Sequence, residues 1–201
     1  MSKEQKFFIC RHCGNLIGMI FNQGVPTVCC GEKMEELVPK IIKIYFTYGI
    51  KSVTMDDLAS ELGISKKTLY QHFSDKAMVI DSCVDFLLSK HEERLSVPSK
   101  RETNNAIDKM LETTAFIFAH DRAMNPSVKF DLQKYYPEIW VKIESFTSET
   151  FFNFLNEILK QGIEEGLFEN DIDIEVVSRI FINVVDFLAC KKNTFFGNRD
   201  S

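Results

Sequence analysis

Long apolar runs are missing from this 201-residue chain. No stretch approaches the roughly 18 consecutive apolar residues that a membrane-spanning helix needs, so no span is expected. Residues Met1 to Lys6 are polar, and Phe7-Phe8-Ile9-Cys10 is too short for the apolar heart of a signal peptide, which makes the cytoplasm the expected location. An excess of positive charge is missing as well. The 24 Lys and Arg face 29 Asp and Glu, a net charge of −5 that argues against unselective coating of nucleic acid. The sequence has no internal repeat and no low-complexity tract. It also lacks a nucleophile elbow, a phosphate-cradling glycine loop and a coherent acid–base pair, so no enzyme is expected.

What is present is unevenly spread. Four of the six cysteines, Cys10, Cys13, Cys29 and Cys30, fall within the first 30 residues. Formal charge is zero over residues 1–36, +2 over 37–76 and −7 over the remainder. Residues 1–36 alternate short apolar stretches (Phe7 to Cys10, Leu16 to Phe21, Thr27 to Cys29) with turn residues Gly14-Asn15, Asn22-Gln23-Gly24 and Gly31, the pattern of short strands. A unit below about 40 residues rarely builds a sufficient apolar core, and a metal or disulfides normally supply the rest. A reducing compartment disfavours disulfides. Cys10-Arg11-His12-Cys13-Gly14 has knuckle spacing: two thiolates three residues apart reach one ion, and glycine permits the tight turn that aims amides at sulfur. Adjacent Cys29 and Cys30 would point apart on an extended strand, so their joining the same ion requires a local turn, which Gly31 can supply. Four thiolates then form a tetrahedron suited to zinc or a single iron.

The stretch Cys10 to Gly31, with its Cys-x2-Cys-x15-Cys-Cys-Gly spacing, followed by Glu36-Leu37-Val38-Pro39, resembles desulforedoxin and the matching amino-terminal module of desulfoferrodoxin. That resemblance implies one rubredoxin-like iron bound by Cys10, Cys13, Cys29 and Cys30, with zinc as the alternative. Desulfoferrodoxins continue into a β-sandwich whose superoxide-reducing iron is held by four histidines and a cysteine. Here only His72, His91 and His120 remain, all on helical segments, so that activity is not expected.

From Val38 to about Cys190 the apolar period is helical, and the chain is expected to be mainly α. A first helix runs from about Pro39 to Gly49. Thr54 with Asp57 three residues on reads as a capping box opening a two-turn helix that ends at Gly63. Ser65 caps a third helix with Leu69 and Phe73 inward, and Ser74-Asp75 caps a fourth reaching about Leu95. Helix, break Leu62-Gly63-Ile64-Ser65 and short helix make a helix-turn-helix, with Lys66, Lys67, Thr68, Tyr70, Gln71 and His72 outward as phosphate anchors and base-edge partners. A solvated helix face shows the same residue types.

The stretch Ile41 to Val79, above all Gly49-Ile50-Lys51-Ser52-Val53-Thr54-Met55-Asp56-Asp57-Leu58-Ala59 and Gly63 to Lys76, is similar to the DNA-binding domain of the TetR repressor family. The resemblance implies phosphate contacts from Thr54, Tyr70, His72 and Lys76, bases faced by Lys66, Lys67, Thr68 and Gln71, and a double-stranded DNA operator read by a homodimer. The implied organisation is a metal-binding domain over 1–36, a helix-turn-helix domain over 37–95 and a helical effector-binding and dimerisation domain over 96–201. Further helices are expected over about 103–120, from Pro126 to Tyr136, over 137–166 and over 173–190. Dense aromatics there serve mainly as core, the rest suiting an apolar pocket for a small-molecule effector. His120 and Cys190 are candidate ligand contacts, more simply read as helix-packing residues. The chain ends eleven residues after Cys190, short of the paired long helices with which family members dimerise.

The expected protein is a transcriptional repressor whose metal module lies close to its DNA-facing domain, since Glu32 to Val38 spans at most about 23 Å. Two roles for the four cysteines stay open: sensing of redox or metal state, or static support beside an effector-controlled body. The alternative from another class is a rubredoxin-like electron-transfer protein on a helical scaffold.

Overall fold

A computed structural model of the chain describes residues 6–19, 26–96, 105–123, 125 and 127–190; the side chains of 117–123, 186 and 188–190 lie outside that description. His120 and Cys190 as candidate ligand contacts, and the tail Lys191 to Ser201, therefore fall outside the described residues. The fold is mainly helical with a small amino-terminal strand region, as expected. Among the described residues no helix is long and apolar enough to cross a membrane. The chain forms two compact units, Met1–Ser89 with Asn125–Trp140, and Lys90–Met124 with Val141–Ser201.

In the first unit, β1 (Lys6–Ile9) pairs antiparallel with β2 (Leu16–Met19) and β5 (Glu35–Glu36), while β3 (Val28–Cys29) and β4 (Glu32–Lys33) form a separate hairpin. Successive side chains of a strand face opposite sides. Phe8, with Cys10 and Met34, makes a small core to which Ile17, Met19 and Cys29 are added. Phe7 and Ile9 fall on the other face and are equally buried. The run Phe7-Phe8-Ile9-Cys10 is continuously apolar because this strand is covered on both sides.

Leu37, fully buried, donates its amide to the Phe7 carbonyl at 2.8 Å and stands immediately before α1 (Val38–Tyr48), so sheet passes into helix without a linker. Pro39 occupies the first turn, where its missing N–H costs nothing. Then come α2 (Met55–Glu61), α3 (Lys66–His72) and α4 (Lys76–Ser96). Ile41, Leu58, Leu69, Phe73 and Val79 are each 0% exposed at their centre. The unit is completed by α6 (Ser127–Tyr135) and the start of α7 (Pro137–Ser145). Buried Asp131 of α6 accepts the Lys51 amide at 2.8 Å, just ahead of α2.

The second unit holds the end of α4, α5 (Ala106–Ala123), the end of α7, α8 (Phe152–Glu164) and α9 (Ile174–Cys190). Asn105 caps α5 by accepting the Asp108 amide at 2.9 Å, so this helix begins later than its expected start near Thr103. The single helix expected over 137–166 is interrupted by a π-helical turn, Phe146–Phe151. Leu155, Ile158 and Leu159 are buried on α8, and Phe168 crosses it at Gly162, where a Cβ would lie 2.1 Å from the ring. Glu165, at the end of α8, is exposed but also accepts the Ala106 amide at 2.9 Å. Asp173 caps α9 by accepting the Val176 amide at 3.1 Å.

Candidate functional site

The capping box at α2 is complete. Thr54 Oγ1 accepts the Asp57 amide at 3.1 Å, while Asp57 Oδ2 accepts the Thr54 amide at 2.8 Å and its hydroxyl at 2.7 Å. Those bonds hold the Asp57 carboxyl below its ordinary range, the Thr54 hydroxyl contributing most. The turn into α3 is made by Gly63 at φ 68°, the left-handed region that favours glycine. Ser65 Oγ then accepts the Thr68 amide at 3.0 Å and lies 2.7 Å from the Thr68 hydroxyl.

Leu69 and Phe73 point inward at 0% exposure. Ser65, Lys66, Lys67, Tyr70 and Gln71 are exposed on the other side, with Thr68 and His72 half-buried at its margins. The structure thus gathers Ser65 to His72 on one short helix with Thr54 exposed at the start of α2. Two cations are already engaged. Lys66 Nζ pairs with Asp56 at 2.7 Å, which raises the ammonium's pKa. Lys76 Nζ, expected on a phosphate, donates to the Ile50 carbonyl at 2.6 Å, and partial burial lowers its pKa.

The cysteines converge. The four sulfurs all lie within 4.8 Å of one another, with Cys13 and Cys29 Sγ 3.6 Å apart and Cys29 and Cys30 Sγ 3.9 Å apart. Zinc–sulfur bonds of about 2.3 Å in a tetrahedron require sulfur–sulfur edges of about 3.8 Å, so this donor set fits a tetrahedral thiophilic ion. The adjacent pair converges because Cys30 itself takes φ 51° and Gly31 φ 79°, folding the chain back within two residues. The sequence points to Gly31 for this turn; the left-handed Cys30 has no sequence signal. On the knuckle, the Cys13 amide lowers the buried Cys10 thiol to about 7 against the effect of burial, and the His12 amide adds to it. The Cys13 and Cys29 thiols and burial push Cys30 up to about 12. Metal uptake therefore displaces protons from this cluster.

The strand module and α3 touch. The Phe7 ring lies 4.5 Å from that of Phe73 and meets His72 edge-on at 6.1 Å. A Cβ on Gly14 would sit 3.5 Å from the Gly63 carbonyl oxygen and 3.6 Å from Ile64 Cγ2. Neither contact is legible in the sequence, because each joins residues about fifty or more positions apart. Lys51 and Asp131 form a third such pair, separated by 80 residues.

Residues 42–83 match the family model for bacterial regulatory proteins of the tetR family. Over that stretch, which runs from within α1 into α4, the chain is similar to tetR-family regulators. It is 26% identical over 113 residues to the uncharacterized HTH-type transcriptional regulator YvaF of Bacillus subtilis, a match covering 55% of this chain and 60% of that protein. With the HTH-type negative transcriptional regulator IcaR of the Staphylococcus aureus biofilm operon icaADBC it shares 21% identity over 159 residues, 75% of this chain and 77% of the other. In fold it is similar to the fatty acid degradation regulator FadR of Bacillus halodurans, with a TM-score of 0.62 at 18% identity, covering 77% and 80% of the two chains. All three of these proteins are named as regulators.

Proposed function

We propose that this protein is a TetR-type transcriptional regulator, acting as a repressor, that inserts α3 into the major groove of a DNA operator. The observation that carries this reading is the capped two-turn α3, with Leu69 and Phe73 fully buried and a polar face of Ser65, Lys66, Lys67, Thr68, Tyr70 and Gln71 turned outward. Thr54 and His72 flank it as phosphate contacts, and Lys76 joins them by exchanging the Ile50 carbonyl for a phosphate. Repression is taken from IcaR, named as a negative regulator.

Two reading helices are required for paired half-sites, and a homodimer supplies them. Supporting this, α9 exposes an apolar stripe one helical turn apart, Val176, Ile180, Val184 and Phe187, at 49%, 58%, 48% and 52% exposure. Residues 1–36 serve as the metal domain, 37–95 as the DNA-binding domain and 96–201 as the dimerisation and effector domain, for a small molecule not named by this structure. Cys10, Cys13, Cys29 and Cys30 hold one iron, with zinc as the alternative. Iron among four thiolates supplies a one-electron change of charge; zinc supplies structure alone. The cage thereby suits redox or metal sensing.

The test is genomic footprinting with the full chain, repeated in oxidised, reduced and metal-free form. A protected fragment is expected, with affinity falling steeply as salt rises. Lys67→Ala should weaken binding about tenfold and flatten the log–log salt slope by about 0.9. No protected fragment in any form would remove the regulatory reading; equal affinity in all three would remove sensing by the metal.

A further inference from the structure

The strand module meets α3 or its flanking residues toward both ends, and β2 also packs against the same helix. At the carboxy-terminal end, Phe7 of β1 stacks at 4.5 Å on Phe73, the residue that closes α3, and edges onto His72 within its last turn. At the amino-terminal end, Gly14 of the knuckle rests against Gly63 and Ile64, the turn immediately before the Ser65 cap. The hairpin joining these contacts is short. Phe7 lies opposite Gly18 in the β1–β2 register, Ile9 opposite Leu16, and the Cys10 amide bonds the Asn15 carbonyl at 2.9 Å. Cys10 and Cys13 therefore close the loop end of the very hairpin whose strand carries Phe7.

We propose that Phe7 and Gly14 are positioning residues that transmit metal occupancy to α3: the metal-closed hairpin clamps the reading helix at both ends, and loss of the ion loosens it. This rests on the reading of the four cysteines as a metal site. The physical basis is that, among the described residues, the cluster enclosed within the module is Phe8, Cys10 and Met34 with three partly buried neighbours, too little to hold two strands in place unaided. The ion fixes the knuckle, the knuckle fixes the register of β1 against β2, and β1 fixes Phe7. A seven-residue helix has little stability of its own, so its placement depends on what covers it. The coupling acts on the orientation and local opening of α3, not on its capacity to be helical.

The test uses the full chain and zinc as the probe metal, with amide hydrogen exchange read separately over α3 and over α9. In the wild-type protein, zinc loading is expected to slow exchange of the Leu69–Phe73 amides at least tenfold and to leave α9 unchanged. Unchanged α3 exchange would overturn the proposal, as would an equal change in both helices, which marks global stabilisation only. Phe7→Ala should keep one equivalent of metal, seen as unaltered thiolate-to-metal bands with cobalt, yet lose most of the zinc-dependent slowing. Phe7→Leu should restore it, and full zinc dependence in Phe7→Ala would overturn the role given to Phe7. Gly14→Ala, strained at φ 69° although its Cβ meets Gly63 and Ile64 only at ordinary contact distance, should likewise weaken the zinc-dependent slowing, and full zinc dependence in it would overturn the role given to Gly14. Mobility shift of a footprinted DNA fragment separates this inference from the functional reading. Zinc-dependent protection of α3 without DNA binding would defeat the regulator alone. DNA binding with zinc-indifferent α3 would defeat the clamp alone.

Discussion

The strand module and the helical reading head share one compact unit but are held by different forces. Beside the cage, Phe8, Cys10 and Met34 form a cluster of three buried residues, and four sulfurs converge where apolar volume is short. In the helical head, Ile41, Leu58, Leu69, Phe73 and Val79 are all removed from water. With a metal bound, placement would depend on coordination in the first and on burial in the second. The two regions should therefore fail under different treatments, with Phe7, buried between them, as a side chain that feels both.

The largest effect should follow from removing the metal. Binding free energy of a structural zinc site is typically about 10 kcal/mol or more at neutral pH, and in so small a module it is largely folding free energy. A chelator should therefore abolish slow amide exchange in β1 and β2 while circular dichroism retains most of the helical signal. Collapse of the helices at the same chelator concentration would erase the distinction drawn above. Next comes the reading head: Leu69→Ala should cost about 2–5 kcal/mol in urea unfolding, because the site is fully enclosed and cannot collapse around the loss, while metal stoichiometry stays at one.

A smaller effect is expected at the cap. Thr54→Ala removes one half of the box and should lower stability by about 1 kcal/mol, with α2 fraying from its first turn. The smallest is a dependence on pH. Asp57, held down chiefly by the Thr54 hydroxyl, and Asp75, held down chiefly by the Met78 amide, both have folded pKa values below the ordinary 3.8. Each stabilises the fold above that ordinary value and loses its contribution as pH falls through the lower folded value. Acid titration of the wild type against Asp57→Asn should show a shallower loss below about pH 4 in the variant.

What could be read from the sequence was local. Thr54 with Asp57, Ser65 with Thr68, and the inward pair Leu69 and Phe73 all follow from spacings of three or four residues, the reach of one helical turn. The cysteine cluster was legible because its ligand types and spacings are few. The details around it were not. Cys30 in the left-handed region is a choice that no neighbouring residue announces, and a π-helical turn at Phe146–Phe151 leaves no mark in apolar period. The engaged partners of the cations were hidden too: Asp56 for Lys66 and the Ile50 carbonyl for Lys76 come from other elements brought close by folding. Phe7 against Phe73 belongs to the same class, joining residues that only the completed unit brings together.

The passage from β5 straight into α1 through Leu37 bears on how this molecule can be divided. A truncation that begins the chain at residue 38 would strip the cover from Phe73 and discard Leu37, baring an aromatic face beside the polar side of α3. Such a fragment should self-associate, and the sulfur cage cannot be grafted onto another scaffold as a cassette unless a matching aromatic socket travels with it.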